Sequence, residues 1–577
     1  MESATNHCNV PSIDAGAEPR PTRVSFVSLG CPKNLVDSEH MLGTLRQAGC
    51  TLVSEGEMAD AIVINTCGFL EASKEESLSV IREAIERRDR GEIGRVVVAG
   101  CLVQRHRAKL LEWTPGIDSM IGVFDRDHIL DAVATGSATA PASPLAPGSA
   151  GGSTLSSDPL PRYWIAANAL QAARARGRNT IGLTVNGADA RGIGYFEDDS
   201  TRFRLTPRHW SYLRVSEGCN QRCAFCTIPS IRGKMRSKPL DAILREARML
   251  FEDGAFELNL IGQDTTSYGY DIYGRHEGRD EVRSPGAGVP NRNEVRLGVP
   301  SHAGSGDLIE LLSSLNDLAT DYGGRWIRLM YVYPTHFTDA MIDAIAALPN
   351  IVKYVDIPLQ HISDRMLKSM RRNITRAQQK TLLHKLRQRI PGLAIRTTFI
   401  TGFPGETEAD HQELLDFIQK FQFDMMGVFQ YSREDGTPAG TMDLDPVLHV
   451  PAEVKESREQ ELMLAQQEIA FNNARYLAQQ QCQFDVLIEK PSESGAAVPA
   501  VNGNGRHRAL SAYVGRCYHQ APQVDSITHV HSSRALAPGQ LVRCTIVDAD
   551  GYDLVAQPTG ELEHALPHEA LAEHGCN

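Results

Sequence analysis

Within residues 216–229, "SEGCNQRCAFCTIP", three cysteines fall inside eight positions: Cys219, Cys223 and Cys226. Thiolates are ligands for zinc and for iron–sulfur clusters. A structural zinc site takes four ligands, usually as two Cys-x2-4-Cys pairs with a wider gap, and no second pair follows nearby. A [4Fe–4S] cluster held by three thiolates leaves one iron open to another ligand. Spacing alone ranks an iron–sulfur cluster first, with zinc and unligated structural thiols level behind it.

A second set is scattered. Cys31 follows the strand-like "VSFVSLG", Cys67 follows "AIVINT" and Cys101 follows "RVVVAG". Ligand sites in open α/β sheets gather at the C-terminal edge of the strands, so three residues far apart in sequence can converge there. Each also precedes a helical stretch, whose free N–H groups favour a thiolate. Any one of them alone reads as a small buried thiol. Three at the same strand-end position favour a shared site. Cys8, Cys50, Cys482, Cys517, Cys544 and Cys576 have no cluster spacing.

The elements that must position these residues are legible in outline. Residues 23–134 alternate strand and helix, which predicts a parallel sheet with right-handed crossovers. Residues 135–160 are almost purely Ala, Gly, Ser, Pro and Thr and read as a flexible linker; the whole of 135–209 is expected to be linker and insertion, without assigned function. From 210 to 450 the alternation resumes in six units, "SYLRVSEG", "FELNLIGQD", "WIRLMYVYP", "KYVDIPLQ", "LAIRTTFITGFPG" and "MMGVFQYS", interrupted by a polar loop at about 274–305. Six units predict a partial or full TIM-like barrel with its site at the C-terminal strand ends, where Gln263, Asp264, Gln360 and His361 also fall. His361 is expected to be structural rather than an acid or base. Residues 451–481 predict a long helix, 482–557 a small all-β module, and 558–577 a disordered tail.

The chain has 577 residues, too many for one ordinary core. Hydrophobic residues at 42% and charged residues at 23% are usual for a soluble globular protein. No apolar run of about 18 residues predicts a membrane span, and the polar, Pro-rich start lacks the apolar stretch of a secretory signal. The cytoplasm is therefore the expected compartment, where cysteines serve as ligands or catalysts more often than as disulfides. The net charge of −12 argues against broad nucleic-acid binding.

The C-x3-C-x2-C loop after the first barrel strand resembles the signature of radical S-adenosylmethionine (SAM) enzymes, with Phe225 at that loop's aromatic position. "SLGCPKNLVDSE", "NTCGF" and "AGCL", with "SEGCNQRCAFCTIPSIRGKMRS", "IPLQH", "TFITGFPGET" and "YSREDGTPA", resemble the methylthiotransferases of that superfamily. The β module resembles a TRAM domain. The likeness covers about residues 23–134 and 210–557.

It implies two [4Fe–4S] clusters, one on Cys219, Cys223 and Cys226 that binds and reductively cleaves SAM, and an auxiliary one on Cys31, Cys67 and Cys101 that presents sulfur. A second SAM would supply the methyl group. SAM contacts are expected from Phe225, Gln263, Gln360, Gly402, Pro404, Gly405 and Glu406; "GFPGE" is otherwise only a tight turn. "CPKN", "YVYPTH" and "YSREDGTPA" resemble the members that act on the β-carbon of an aspartate in ribosomal protein S12, whereas tRNA-modifying members more usually carry Gln-Met-Asn after the first cysteine. Residues 481–577 hold six Lys and Arg against eleven Asp and Glu, a net of −5. Such a module suits a basic protein better than a phosphate backbone. A flavodoxin or ferredoxin is the expected electron donor. The alternatives are a tRNA adenosine methylthiotransferase and a non-catalytic iron–sulfur electron carrier, for which four-cysteine ligation is expected.

Overall fold

The computed structural model describes residues 20–134, 162–165, 199–272, 307–493, 498–502, 507–562 and 564–565. The expected linker at 135–160, the polar loop at 274–305, Cys8 and Cys576 lie outside the described residues.

The N-terminal sheet has six parallel strands: β1 (Arg23–Ser28), β2 (Thr51–Val53), β3 (Ala61–Thr66), β4 (Val96–Gly100), β5 (Ser119–Ile121) and β6 (Arg162–Trp164). Their order is β2-β1-β3-β4-β5-β6. β3 and β4 are buried along their whole length, as central parallel strands with helices on both faces must be. Alternate side chains serve two cores. Ile62, Ile64, Val96 and Val98 pack on Leu78 and Ile81 of helix α2 (Glu71–Asp89) and on Leu102 of helix α3 (Cys101–His106). Val63, Val97 and Ala99 pack on Met41 and Leu45 of helix α1 (Pro32–Gln47).

The strand β6 falls in the insertion that follows the stretch read as flexible linker. Its three residues are too few to show a periodicity, yet Trp164 stacks on His128 at 5.5 Å and its carbonyl accepts from Gly122 N at 2.8 Å. Residues 199–206 are likewise structural. Phe203 N donates to the Glu39 carbonyl at 2.8 Å and Leu205 N to the Glu39 carboxylate at 2.7 Å.

The central unit is a single parallel sheet of β7 (Trp210–Arg214), β10 (Glu257–Ile261), β11 (Trp326–Leu329), β12 (Ile351–Asp356), β13 (Ala394–Thr401) and β14 (Met425–Gln430), in that order across it. Its edge strands β7 and β14 are not paired, so the barrel is partial. A short antiparallel bracket, β8 (Ser216–Glu217) against β9 (Arg236–Ser237), spans the C-x3-C-x2-C loop. Leu213, Leu258, Leu260, Ile327, Leu329 and Val355 point outward into one core with the covering helices.

Its inner face is charged. Glu257 pairs with Arg328 at 2.6 Å and with Arg516 of the β module at 2.8 Å, and Arg396 joins Asp356 at 2.8 Å to Asp525 at 3.2 Å. These contacts dock the β module against the N-terminal ends of the barrel strands. A cavity of about 730 Å³ lies in that joint, lined by Gly392, Met425, Met463, Phe484 and Tyr518. It is at the end of the barrel away from the cysteines.

The long helix runs Ala452–Gln479. The β module comprises β15 (Gln483–Pro491), β16 (Val498–Asn502), β17 (His507–Cys517), β18 (Thr528–Ser532), β19 (Leu541–Asp550), β20 (Asp553–Pro558) and β21 (His564–Ala565). The expected tail at 558–577 needs correction at its start. Glu561 is buried and accepts from Ser533 N at 2.6 Å, so order continues past Pro558. Cys517 and Cys544 are buried in the module's apolar core.

Candidate active site

β1, β3 and β4 are neighbours in the sheet, so their C-terminal ends bring Cys31, Cys67 and Cys101 to one edge. A glycine beside each cysteine interlocks the loops. A Cβ on Gly30 would stand 2.8 Å from Cys67 Cβ, and one on Gly68 would stand 2.7 Å from Leu102 Cα. Gly100, at φ +97°, would put a Cβ 2.3 Å from Asn65 Oδ1 and 2.7 Å from the Thr66 carbonyl oxygen. Gly100→Ala therefore combines left-handed strain with a clash against backbone. It is expected to cost about 2 kcal/mol or more, read as a lower unfolding midpoint and poorer iron retention; a melt and an iron content like the parent's would refute the packing argument.

Burial pushes the Cys101 thiol up to about 12, against the opposing pull of Arg232, and raises Cys67 as well. The expectation that helix N–H groups favour thiolates is thus overridden by desolvation at these two positions. An electropositive partner such as iron would have to displace the proton. Cys31 is exposed at the rim.

The second triplet sits across from the first. Gly218, at φ +79°, takes the chain out of β8 so tightly that a Cβ would lie 2.3 Å from the Lys234 carbonyl oxygen, and Cys219 N donates to Gly233 O at 3.1 Å. Ala224 pins the loop's middle, donating its N–H to Met370 O at 2.9 Å and accepting from Ala439 N at 3.0 Å. Phe225 packs against the apolar cluster of Met366, Met370, Phe403 and Tyr431. Burial drives Cys219 and Cys226 up to about 12. Arg372 Nη1 donates to Cys223 Sγ at 3.4 Å, and Tyr333 Oη lies 4.0 Å from the same sulfur.

No three His, Cys, Asp or Glu side chains among the described residues lie close enough to hold one metal ion. A single zinc ion would draw its thiolates to within about 4.6 Å of each other, twice the Zn–S bond. Three thiols in each set are the donor chemistry that iron–sulfur clusters take.

"YVYP" at the end of β11 lies between the two sets. Tyr333 faces Cys223, while the ring of Tyr331 lies 3.7 Å below Lys33 Nζ, two residues after Cys31. Tyr331 is held at φ +59°, its N–H donating to Asp356 Oδ2 at 3.2 Å.

The two halves are joined by a buried ion network that local motifs do not reveal. Asp37 of α1 accepts from Arg232 at 2.9 Å, from Arg214 at 2.6 Å and from Arg126. Glu217 accepts from Arg214 and Arg232, each at 3.1 Å. Arg232 Nη2 also donates to Cys101 Sγ at 3.3 Å, so one guanidinium from the segment after the second triplet reaches a thiol of the first. At the rim, Arg105 pairs with Glu434 of "YSREDGTPA" at 2.9 Å.

The remaining expected residues divide in two. Gln263 Nε2 donates to Glu217 at 2.8 Å, leaving its Oε1 without a partner, and Gln360 is held at φ +73° where the barrel opens. Asp264 accepts from Gln221 at 2.9 Å; burial opposes ionisation, but hydrogen bonds from His336, Thr266 and Gln221 hold its carboxyl below the usual range. Glu406 turns inward instead. Its carboxylate accepts from Gly402 N and meets His361 Nε2 at 3.4 Å and Arg458 at 3.5 Å, so it braces the 402–406 turn of Gly402, Pro404 and Gly405. His361 Nδ1 accepts from Ile362 N at 2.9 Å and Ser363 N at 3.0 Å, in keeping with a structural role.

Family profiles match in the same order as the folded units. The uncharacterized protein family UPF0004 matches residues 23–122, the radical SAM superfamily 213–418 and the TRAM domain 483–558. These matches, with the relatives that follow, make the protein a radical SAM methylthiotransferase, an enzyme that uses an iron–sulfur cluster and SAM. "Ribosomal protein uS12 methylthiotransferase RimO" of Desulforamulus reducens is 36% identical over 92% of this chain and 99% of its own. The proteins of that name from Anaeromyxobacter sp. (strain Fw109-5) and Geobacter sulfurreducens are 37% and 35% identical, covering 92% and 93% of this chain and 92% and 98% of theirs. The chain belongs to the RimO family. Among solved structures, the radical SAM methyltransferase TsrM of Kitasatospora setae is a distant likeness, with 14% identity, TM-score 0.45, and 76% of this chain and 85% of that one covered.

Proposed function

We propose that the protein adds a methylthio group to the β-carbon of an aspartate in ribosomal protein S12, using one [4Fe–4S] cluster on Cys219, Cys223 and Cys226 and a second on Cys31, Cys67 and Cys101. The observation that carries this is the placement of two incomplete thiol triplets on either side of "YVYP". Electron transfer alone has no use for two open irons. The names of the relatives and the net −5 of residues 481–577 support a basic protein as the substrate over tRNA.

Bound at these sites, clusters and SAM supply the one-electron chemistry that no side-chain acid or base provides for an unactivated C–H. The chain's own residues position and shield. Gly218 and Ala224 fix the cysteine loop. Arg372 and Arg232 place positive charge on one thiol of each triplet. Phe225, Gln263, Gln360 and the turn of Gly402, Pro404, Gly405 and Glu406 form the proposed SAM pocket, with Glu406 acting through the turn it braces. No described helix is long and apolar enough to cross a membrane. A flavodoxin or ferredoxin in the cytoplasm is the proposed donor.

Mass spectrometry of S12 and of tRNA from cells lacking the protein tests the substrate. The methylthio mass is expected to vanish from S12 and persist on tRNA. Loss from tRNA alone overturns the assignment.

A further inference from the structure

Lys33 is a buried lysine with no ion-pair partner within 4.0 Å among the described residues. The residue is 5% exposed, and its Nζ rests 3.7 Å from the centre of the Tyr331 ring. Among the described residues it has neither a hydrogen-bond acceptor nor an ion pair within 4.0 Å; the ring is its one direct contact, and Cys31, Glu217 and Asp356 act on it only from further away. The cations around it are satisfied differently. Arg126, Arg214 and Arg232 share Asp37, and Lys238 pairs with Asp199 at 3.2 Å and with Glu246.

The carboxylates near Lys33 are already engaged. Glu217 holds Arg214, Arg232 and Gln263, while Asp356 holds Arg396 and the Tyr331 N–H. A cation–π contact compensates only part of what an ammonium loses on leaving water. An anion arriving from outside the chain would complete the site.

The position of the charge indicates which anion. Lys33 stands two residues from Cys31 and above Tyr331, on the strip of chain whose Tyr333 faces Cys223. A substrate whose carbon is to be reached from both triplets must enter this space. Given the aspartate substrate proposed above, on which this step rests, its side chain brings one carboxylate bonded directly to the reacting β-carbon. We infer that Lys33 binds the carboxylate of the target aspartate, and so both selects a carboxylate over its amide and holds the β-carbon between the triplets. SAM also carries a carboxylate, and the test separates the two sources.

The test uses anaerobically reconstituted holoenzyme, with binding of SAM and of S12 measured separately. S12 is compared with a variant in which the methylthiolated aspartate, located by mass spectrometry, is replaced by Asn. The parent enzyme is expected to prefer Asp by roughly 30-fold or more, the usual loss when a buried charge pair is truncated on one side. Lys33→Met is expected to abolish that preference by weakening Asp binding, with affinity for the Asn variant, SAM affinity and iron content unchanged. Lys33→Arg should keep a part of the preference, which separates lost charge from lost folding. If Lys33→Met keeps the full preference while the parent methylthiolates S12, the inference falls and the proposed function stands. If Lys33→Met loses SAM affinity and keeps the preference, the carboxylate is SAM's and the inference falls. If the parent does not modify S12, both fall.

Discussion

With Cys219, Cys223 and Cys226 all replaced by Ala, anaerobic reconstitution is expected to leave about four irons per chain where the parent holds about eight, the sum of two four-iron clusters. Formation of 5′-deoxyadenosine should drop by more than about 10³-fold, because no side chain can replace the lost one-electron chemistry. Replacing Cys31, Cys67 and Cys101 should also leave about four irons, but with SAM cleavage retained and methylthiolation lost. The two variants thus separate making a radical from using it. The expectation rests on geometry: each triplet has its own loops, its own interlocking glycines or bracket, and its own guanidinium at one sulfur. A parent enzyme with about four irons, unchanged by Cys31→Ala, would leave no place for an auxiliary cluster.

The second large effect is on stability. Asp37→Ala is expected to destabilise the protein by about 3–5 kcal/mol, the range for a buried ion pair broken from one side. Three guanidinium groups, on Arg126, Arg214 and Arg232, would lose a shared carboxylate while remaining buried. Glu217 would still accept from Arg214 and Arg232, and Asp199 from Arg214, leaving Arg126 without either. Since Arg232 also touches Cys101, loosening should show as faster hydrogen exchange in both α1 and the 228–232 helix. An unfolding midpoint in urea equal to the parent's would refute this account, because a surface pair contributes about 0–1 kcal/mol.

What could be read from sequence divides along physical lines. The Cys219 triplet is local, so its spacing alone favoured an iron–sulfur cluster, and the resemblance supplied the SAM chemistry. Cys31, Cys67 and Cys101 were legible because strand ends are marked by apolar runs, and parallel sheets align such ends on one edge. The six barrel strands were legible for the same reason: each begins within a few residues of its apolar run. β6 was not, since three residues in polar surroundings have no period to detect. Arg232, Arg372, Lys33 and Asp37 were missed because a charged residue on an amphipathic segment normally faces water. Only the tertiary fold reveals that these four are buried. "SIRGKMRS" and "CPKNLVDSE" contained three of them, and the signal was the density of charge beside each triplet. Glu406 shows what a strand-end position leaves out: its carboxylate turns inward to hold its own turn, which sequence position does not reveal.

The two triplets occupy separate sheets that share no strand, and Cys219 follows Cys101 by 118 positions. On the ribosome, at roughly 5–20 residues per second, those positions take on the order of ten seconds to make. The N-terminal sheet can close and gather its three thiols in that interval, before the loop of the second triplet exists. Arg232 is made later still, so the first site begins life as a thiol pocket without its guanidinium. On the two-cluster proposal, iron delivery to this chain would then have a built-in order, with the proposed auxiliary site ready first and the proposed SAM-cleaving site completed over it.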